Sequence, residues 1–269
     1  MFNAKFFSGA AYFVLALPLF YYSHTLALPV VMALIAMRCV YEALHVSAFA
    51  EARLLLPAGL LLAGCLPFAA CAGGLWVEVL CYAYLLTALL LYLFHYNSLA
   101  LLNALYCMAM TLLLGVCFAV PVFTRQGKNG LWLLILTFVG TWSADVCAQV
   151  CGKLFGKHKF KVHVSPNKTV EGSIGSLLGT ALVYVAFAIA LNRLAGTSFS
   201  MPLMAAAGLL VSVAGQAGDL LASAVKRLFG VKDFSHLIPG HGGMYDRFDS
   251  FALVAPMLYL LAQVLPLAG

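Results

Sequence analysis

Long runs of apolar residues restrict the fold of this chain more than any other feature. Hydrophobic residues make up 64% of its 269 positions, and charged residues make up only 9%. A helix needs about 20 mostly apolar residues to cross a bilayer. Backbone groups in lipid must be paired within the spanning structure, which favours helices of this length. The sequence therefore predicts an all-α polytopic membrane protein and excludes a large soluble domain.

The apolar runs predict about nine transmembrane helices. The predicted spans are 6–23, 26–44, 54–72, 75–94, 99–123, 130–151, 172–192, 202–227 and 249–267. The first run starts directly after Lys5 and lacks a small-residue cleavage site followed by a polar segment. We therefore interpret it as a retained helix and not as a signal peptide.

Basic residues predict the orientation of these spans. With nine spans, the N-terminus and the connections after spans 2, 4, 6 and 8 lie on one side of the membrane. Twelve of the fifteen lysine and arginine residues fall on that side, and Arg125, Lys128 and Arg193 fall on the other. Because loops rich in lysine and arginine tend to remain in the cytoplasm, the first side is predicted to be cytoplasmic.

Two polar segments lie on the predicted cytoplasmic side, at residues 152–171 and 226–249. Residues 223–249 hold seven charged side chains, in a chain that has few. Both segments belong to the C-terminal half. We therefore divide the chain into an N-terminal transmembrane scaffold, residues 1–128 with spans 1–5, and a C-terminal catalytic transmembrane region, residues 129–269 with spans 6–9.

Carboxylates inside predicted spans are the first candidates for function. Asp145 falls within span 6 and Asp219 within span 8, and an ionisable group at membrane depth is costly enough to indicate a functional site. Asp219, Ser223 and Lys226 share one face of span 8, because residues three to four apart lie on the same side of a helix. The structural alternatives are pairing of the carboxylates with neighbouring helices, and snorkelling of Lys226 and Arg227 at a helix end.

A glycine-rich turn and two more carboxylates follow span 8. Residues 239–243 read Pro-Gly-His-Gly-Gly, and such glycines let backbone N–H groups approach an oxyanion. Asp246 and Asp249 lie three residues apart, on one face if span 9 has begun. Paired carboxylates without His or Cys partners suit Mg²⁺, which shares its coordination with phosphates. A plain turn, a helix cap at Asp246 and a salt bridge of Arg247 are the structural alternatives.

Cations complete the set of polar candidates. Ser165 and Lys168 precede span 7, and Lys168 is a candidate to contact a phosphate. The lysines at 153–161 either attract anionic lipid headgroups or recruit a polyanionic nucleotide. Metal-binding carboxylates, cations and anion-binding backbone at a membrane surface are typical of phosphoryl or nucleotidyl transfer between a lipid and a water-soluble substrate.

The polar segment after span 8 resembles the signature of the bacterial phosphatidate cytidylyltransferase (CDP-diacylglycerol synthase) family. The residues that carry this resemblance are Ser223, Lys226, Arg227, Lys232, Asp233, Ser235, Pro239, His241, Gly242, Gly243, Asp246, Arg247 and Asp249. Asp145, together with residues 152–156 and 165–172, is similar to the same family. The resemblance covers about residues 140–250, and the N-terminal half is compatible with it.

The resemblance implies that the phosphate of phosphatidic acid attacks the α-phosphorus of CTP, giving CDP-diacylglycerol and pyrophosphate. It implies Mg²⁺ as cofactor, with or without a second cation. Asp219 and Asp246 are the implied metal ligands, and Asp145 and Asp249 belong to the same acidic cluster. The predicted catalytic residues are Asp219, Lys226, Asp246 and Arg247. The predicted substrate-binding residues are Ser165, Lys168, Ser223, Arg227, His241, Gly242 and Gly243.

Three positions depart from the family pattern. Gln149 stands where the family has an aromatic residue, Ser176 where it has a glycine, and Ala222 where it has an acidic residue. These departures leave the predicted metal ligands intact.

Other functions remain as alternatives. A CTP-dependent lipid kinase of the polyprenol type, or a cytidylyltransferase for an ether lipid, would use the same nucleotide. A transporter could bind cations at Asp145 and Asp219, although the charges cluster on one face and not near the midplane. The predicted partners are CTP, phosphatidic acid and membrane lipid, without nucleic acid, and a homodimer is left open. The predicted location is the bacterial cytoplasmic (inner) membrane.

Overall fold

The computed structural model describes residues 17–159, 164–166, 168–237 and 242–267. Eight long helices lie within these ranges, and the described residues form no strand, although Lys159 and Thr169 make an isolated bridge. The helices are α1 Ala27–Ser47, α2 Ala50–Ala72, α3 Gly74–Phe94, α4 Leu101–Gln126, α5 Gly130–Phe155, α6 Val170–Leu194, α7 Met201–Leu228 and α8 Tyr245–Val264. The predicted all-α fold is confirmed.

Seven of these helices, α1 to α7, are long and apolar enough to cross a membrane. They correspond to predicted spans 2–8. Helix α8 is not among the seven, because Asp246, Arg247 and Asp249 at its start lower its mean hydropathy. It begins at Tyr245, four residues before the predicted span 9. Most of predicted span 1 lies outside the described residues.

The helices pack around two apolar clusters. The larger cluster joins α1, α2 and α4 with the C-terminal end of α7 and the start of α8, and includes Phe118, Tyr245 and Phe251. The second lies among α5 to α8, around Tyr184 and Val254. Helix α3 is peripheral, with only Tyr84 and Ala88 buried. Its outward leucines face the surroundings of the bundle, as expected for a helix in contact with lipid.

Small residues let the C-terminal helices approach one another closely. A Cβ atom on Gly218 of α7 would overlap the Asp249 carbonyl oxygen and lie 3.1 Å from the Ser250 Cα atom. A Cβ atom on Gly175 of α6 would overlap the side chain of Cys151 on α5. Membrane helices commonly use small residues in this way, because apolar side chains gain little by leaving lipid. The helices that carry the candidate carboxylates are therefore held at short distances.

The polar segments meet at one end of the bundle. Lys168, which precedes α6, pairs with Asp219 near the C-terminal end of α7, and Lys226 of α7 pairs with Asp246 at the start of α8. At the other end, the Ser200 N–H donates to the Leu267 carbonyl at 2.9 Å. The alternation of helix directions agrees with the predicted order of spans.

Candidate active site

A pocket of about 460 Å³ opens between the C-terminal ends of α5 and α7 and the start of α6. Its volume lies within the range of small-molecule sites, about 300–1,000 Å³. The lining residues are Ala144, Asp145, Ala148, Gln149, Gly152, Lys153, Lys168, Thr169, Gly172, Ser173, Gln216, Asp219 and Leu220. The pocket therefore combines two carboxylates and two lysines with small and amide side chains.

Lys168 and Asp219 form an ion pair inside this pocket. The Lys168 side chain is 29% exposed and that of Asp219 is 33% exposed, so both can contact a ligand without a change of fold. Lys168 is held next to the first turn of α6, where Thr169 caps the helix by accepting a hydrogen bond from the Gly172 N–H at 3.1 Å. The helix start thus fixes the position of the lysine.

Three aspartates from three helices lie within electrostatic range of one another. Asp145 of α5 interacts with Asp219 of α7, and Asp249 of α8 interacts with both. The Ser250 hydroxyl is 3.5 Å from Asp145 Oδ1, at the limit of a hydrogen bond. Three negative charges in a mostly apolar bundle need positive charge nearby, and Lys168 supplies only part of that positive charge.

The donor set of this cluster suits a hard cation. Within the described residues, no three acidic, histidine or cysteine side chains converge on a ready-made metal position. Magnesium, however, is usually held by one or two carboxylates together with phosphates and water. Carboxylate oxygens with open approach from a pocket fit that mode of binding. Asp145 and Asp219, which line the pocket, fit it best, and Asp249 lies within electrostatic range of both.

Asp246 has a different environment. Its side chain is 4% exposed. Its Oδ1 atom accepts a hydrogen bond from Lys226 Nζ at 2.7 Å, and its Oδ2 atom accepts from the Phe234 and Gly243 N–H groups at 2.8 and 2.9 Å. Both oxygens therefore order the segment between α7 and α8. The metal role of Asp246 and the catalytic role of Lys226 stay predictions.

The two glycines of the predicted turn approach protein carboxylates. Gly242 has φ +80°, a conformation that favours glycine. A Cβ atom there would lie 2.8 Å from Asp246 Oδ2, and one on Gly243 would overlap Glu42 Oε2. In this structure the nearby oxyanions are thus side chains of the protein. The substrate role of Gly242 and Gly243 stays a prediction, and His241 lies outside the described residues.

The remaining predicted residues in the described ranges do not line this pocket. Ser165 is half-buried, and its carbonyl accepts from the Lys168 N–H at 3.3 Å. Ser223 is half-buried on α7. Arg227 is exposed and donates to the Val231 carbonyl at 3.3 Å. Arg247 is exposed and interacts electrostatically with Asp145. Their substrate contacts stay predictions.

A polar network beside the pocket was missed by sequence reasoning. Gln216 of α7 accepts from the Ser173 hydroxyl and donates to Ser212 Oγ at 3.3 Å. Ser176 bonds to Ser212 at 2.8 Å and donates to the Ala144 carbonyl at 2.9 Å. Ser176, one of the departures from the family pattern, is thus fully buried and satisfied. The sequence feature that could have predicted this network is a set of hydroxyl and amide residues at helical spacing inside two apolar spans.

Glu42 of α1 was also missed. It lies inside predicted span 2 and is buried in the structure, where it binds the segment that links α7 and α8. The rule that singled out Asp145 and Asp219, an ionisable residue within a span, applied equally to Glu42. The division into an N-terminal scaffold and a C-terminal catalytic region stays a prediction, and Glu42 connects the two.

The bundle and its pocket define a multi-pass helical membrane protein with an acidic and basic site at one end. The chain belongs to the cytidylyltransferase family, whose model matches residues 4–265. Its relatives include proteins named phosphatidate cytidylyltransferase. The protein of Staphylococcus haemolyticus (strain JCSC1435) is 36% identical over 165 residues, and that of Staphylococcus aureus (strain COL) is 39% identical over 167 residues. Each match covers 61% of this chain and 61% of the relative.

Proposed function

We propose that this protein transfers CMP from CTP to phosphatidic acid in a Mg²⁺-dependent reaction, giving CDP-diacylglycerol and pyrophosphate. The observation that carries the proposal is the pocket at the ends of α5, α6 and α7. Asp145, Asp219 and Lys168 line it, and Asp249 lies within electrostatic range. The names of the relatives support transfer of a cytidylyl group over transfer of a phosphate alone.

The proposed reaction joins two phosphate groups. A phosphate oxygen of phosphatidic acid forms a bond to the α-phosphorus of CTP, the bond from that phosphorus to the bridging oxygen breaks, and the electron pair leaves with pyrophosphate. Such a transfer needs alignment and compensation of negative charge more than covalent participation by the protein. Lys153 and Lys168 provide positive charge in the pocket wall.

Asp145, Asp219 and Asp249 are the residues that would hold Mg²⁺. The bound ion would neutralise charge on the phosphates and on the leaving pyrophosphate. Lys168 pairs with Asp219 in this structure. An exchange of that carboxylate for a CTP phosphate would keep the lysine charge compensated while Asp219 turned to the cation.

We further propose that the pocket end of the bundle faces the cytoplasm of a bacterial cell, at the inner membrane. Twelve of the fifteen lysine and arginine residues belong to the predicted cytoplasmic side, which includes both polar segments. A pocket at this interface would meet CTP from the aqueous side and a phospholipid from the bilayer.

The direct test is to identify the lipid product. Purified protein in detergent with Mg²⁺, phosphatidic acid and CTP labelled at the α-phosphorus and the cytosine is expected to give a lipid that carries both labels, together with pyrophosphate. A polyprenol or other lipid phosphorylated from CTP, with CDP released, would instead identify a kinase. Turnover in detergent without an ion gradient would argue against a transporter.

Replacement of Lys168 by methionine is expected to weaken CTP binding. Methionine keeps much of the length and apolar stem of the side chain but removes the charge. A hydrogen bond to a charged group contributes about 1.5–3 kcal/mol, so KM for CTP should rise by about tenfold or more. Steady-state kinetics over a range of CTP concentrations provide the measurement. Lys157→Met, at an exposed lysine of the same segment, is the control, and an equal effect in both variants would show that only the general basic charge matters.

A further inference from the structure

Glu42 is a buried carboxylate near the C-terminal end of α1, and four hydrogen-bond donors surround it. Its Oε1 atom accepts from Arg38 Nε at 2.9 Å, from Ser235 Oγ at 2.7 Å and from the Met244 N–H at 3.1 Å. Its Oε2 atom accepts from the Tyr245 N–H at 2.9 Å. Three of these donors belong to the segment between α7 and α8 or to the start of α8.

The start of α8 has no cap of its own. Its N-cap residue, Met244, offers no side-chain hydrogen bond to the first turn, and the first backbone N–H groups of a helix need acceptors. Glu42 supplies a carboxylate to two of them from a different helix. A negative charge at this position also interacts favourably with the helix dipole. The first turn of α8 carries Asp246, and Asp249 follows at the start of the next turn, so Glu42 fixes the start of the helix that carries both.

Asp246 makes a parallel set of contacts. It joins the Phe234 N–H to the Gly243 N–H, while Glu42 joins the adjacent Ser235 hydroxyl to the adjacent Met244 and Tyr245 N–H groups. Two carboxylates, one from each half of the chain, thus hold the same two stretches together. Arg38 offsets part of the buried charge and is 3.5 Å from Ser235 Oγ.

We infer that Glu42 is a positioning residue for the site: it holds the segment between α7 and α8 and the first turn of α8, so that Asp249 faces Asp145 and Asp219. The inference rests on the proposed function. Glu42 lines no part of the pocket described above and acts through the backbone it binds. The N-terminal half therefore takes part in the geometry of the site through this side chain.

Glu42→Gln tests this inference, because glutamine keeps the shape but presents an N–H₂ group where an acceptor is required. We expect kcat per folded molecule to fall by about tenfold or more and the Mg²⁺ concentration for half-maximal rate to rise by about tenfold. Hydrogen–deuterium exchange should become faster in peptides that cover residues 234–237 and 242–250. This exchange measurement requires neither substrate nor metal.

Glu51→Gln is the matched control. Glu51 is also a buried carboxylate of the N-terminal half, and it accepts from the Ala100 N–H and Asn103 Nδ2 at the start of α4. This variant should lose thermal stability but keep the wild-type kcat, Mg²⁺ dependence and exchange rates at 234–250.

The outcomes separate the two proposals. Changes in kcat, Mg²⁺ dependence and exchange in Glu42→Gln alone would support the positioning role. The positioning role would be overturned if folded Glu42→Gln kept the wild-type kcat and Mg²⁺ dependence. It would also be overturned if both variants showed equal exchange at 234–250. Wild-type protein that forms no CMP-bearing lipid would overturn the proposed function, and the exchange comparison would still decide whether Glu42 holds the segment.

Discussion

Asp219→Asn is expected to abolish CTP-dependent turnover while leaving folded protein in the membrane. The change keeps the shape of the side chain but removes the charge from the pocket wall opposite Lys168. A bound metal ion stabilises the negative charge of phosphoryl transfer by several kcal/mol, so loss of a ligand that holds the ion should lower kcat by about 10³-fold. The measurement is the rate of CDP-diacylglycerol formation with purified variant, normalised to monodisperse protein.

Two comparisons separate a metal role of Asp219 from its ion pair with Lys168. If Asp219 served only to hold that lysine, Asp219→Asn and Lys168→Met would reduce activity equally, and the double variant would lose no more than either. We expect Asp219→Asn to be far more severe. Glu78→Gln, at an exposed carboxylate of α3, controls for the loss of one negative charge. Wild-type turnover in Asp219→Asn would rule out the metal assignment.

The helices and the core of the pocket could be predicted from sequence for clear physical reasons. Apolar runs of bilayer length leave little choice of secondary structure, so spans 2–8 were located within a few residues. Alternating directions then bring the C-terminal ends of α5 and α7 to the same end as the start of α6. Asp145, Asp219 and Lys168 meet there as a consequence of topology.

The role of individual carboxylates could not be predicted in the same way. Whether Asp246 faces a ligand or the backbone depends on where the Phe234 and Gly243 N–H groups point, and a residue pattern does not contain this information. The Glu42–Ser235 contact joins positions 193 residues apart. The same contact set explains why α8 begins four residues before the predicted span, because the cap that fixes Tyr245 as the first helical residue comes from α1 and not from a neighbouring residue.

Gly218→Ala is expected to reduce activity strongly although it adds only one methyl group. The new Cβ atom would overlap the backbone carbonyl oxygen of Asp249 and lie 3.1 Å from the Ser250 Cα atom. Backbone atoms of a packed helix cannot turn aside as a flexible side chain can, so α7 and α8 must separate. That movement displaces Asp219, the next residue of α7, from Asp249. A misplacement of about 1 Å at a reacting centre can cost about 10²-fold in rate, which is the loss in kcat that we expect.

The same strain should appear as lower stability, because overpacking typically costs about 1–3 kcal/mol. Thermal unfolding in detergent and the rate of CDP-diacylglycerol formation are the two measurements. Gly74→Ala is the matched control, since a Cβ atom at that helical glycine has no neighbour within 4 Å, and it should leave both quantities unchanged. If Gly218→Ala kept the wild-type kcat, the close contact of α7 with α8 would not set the distance between Asp219 and Asp249. The proposal that the aspartates share one Mg²⁺ ion would then be contradicted, because such a site does not tolerate a wider separation.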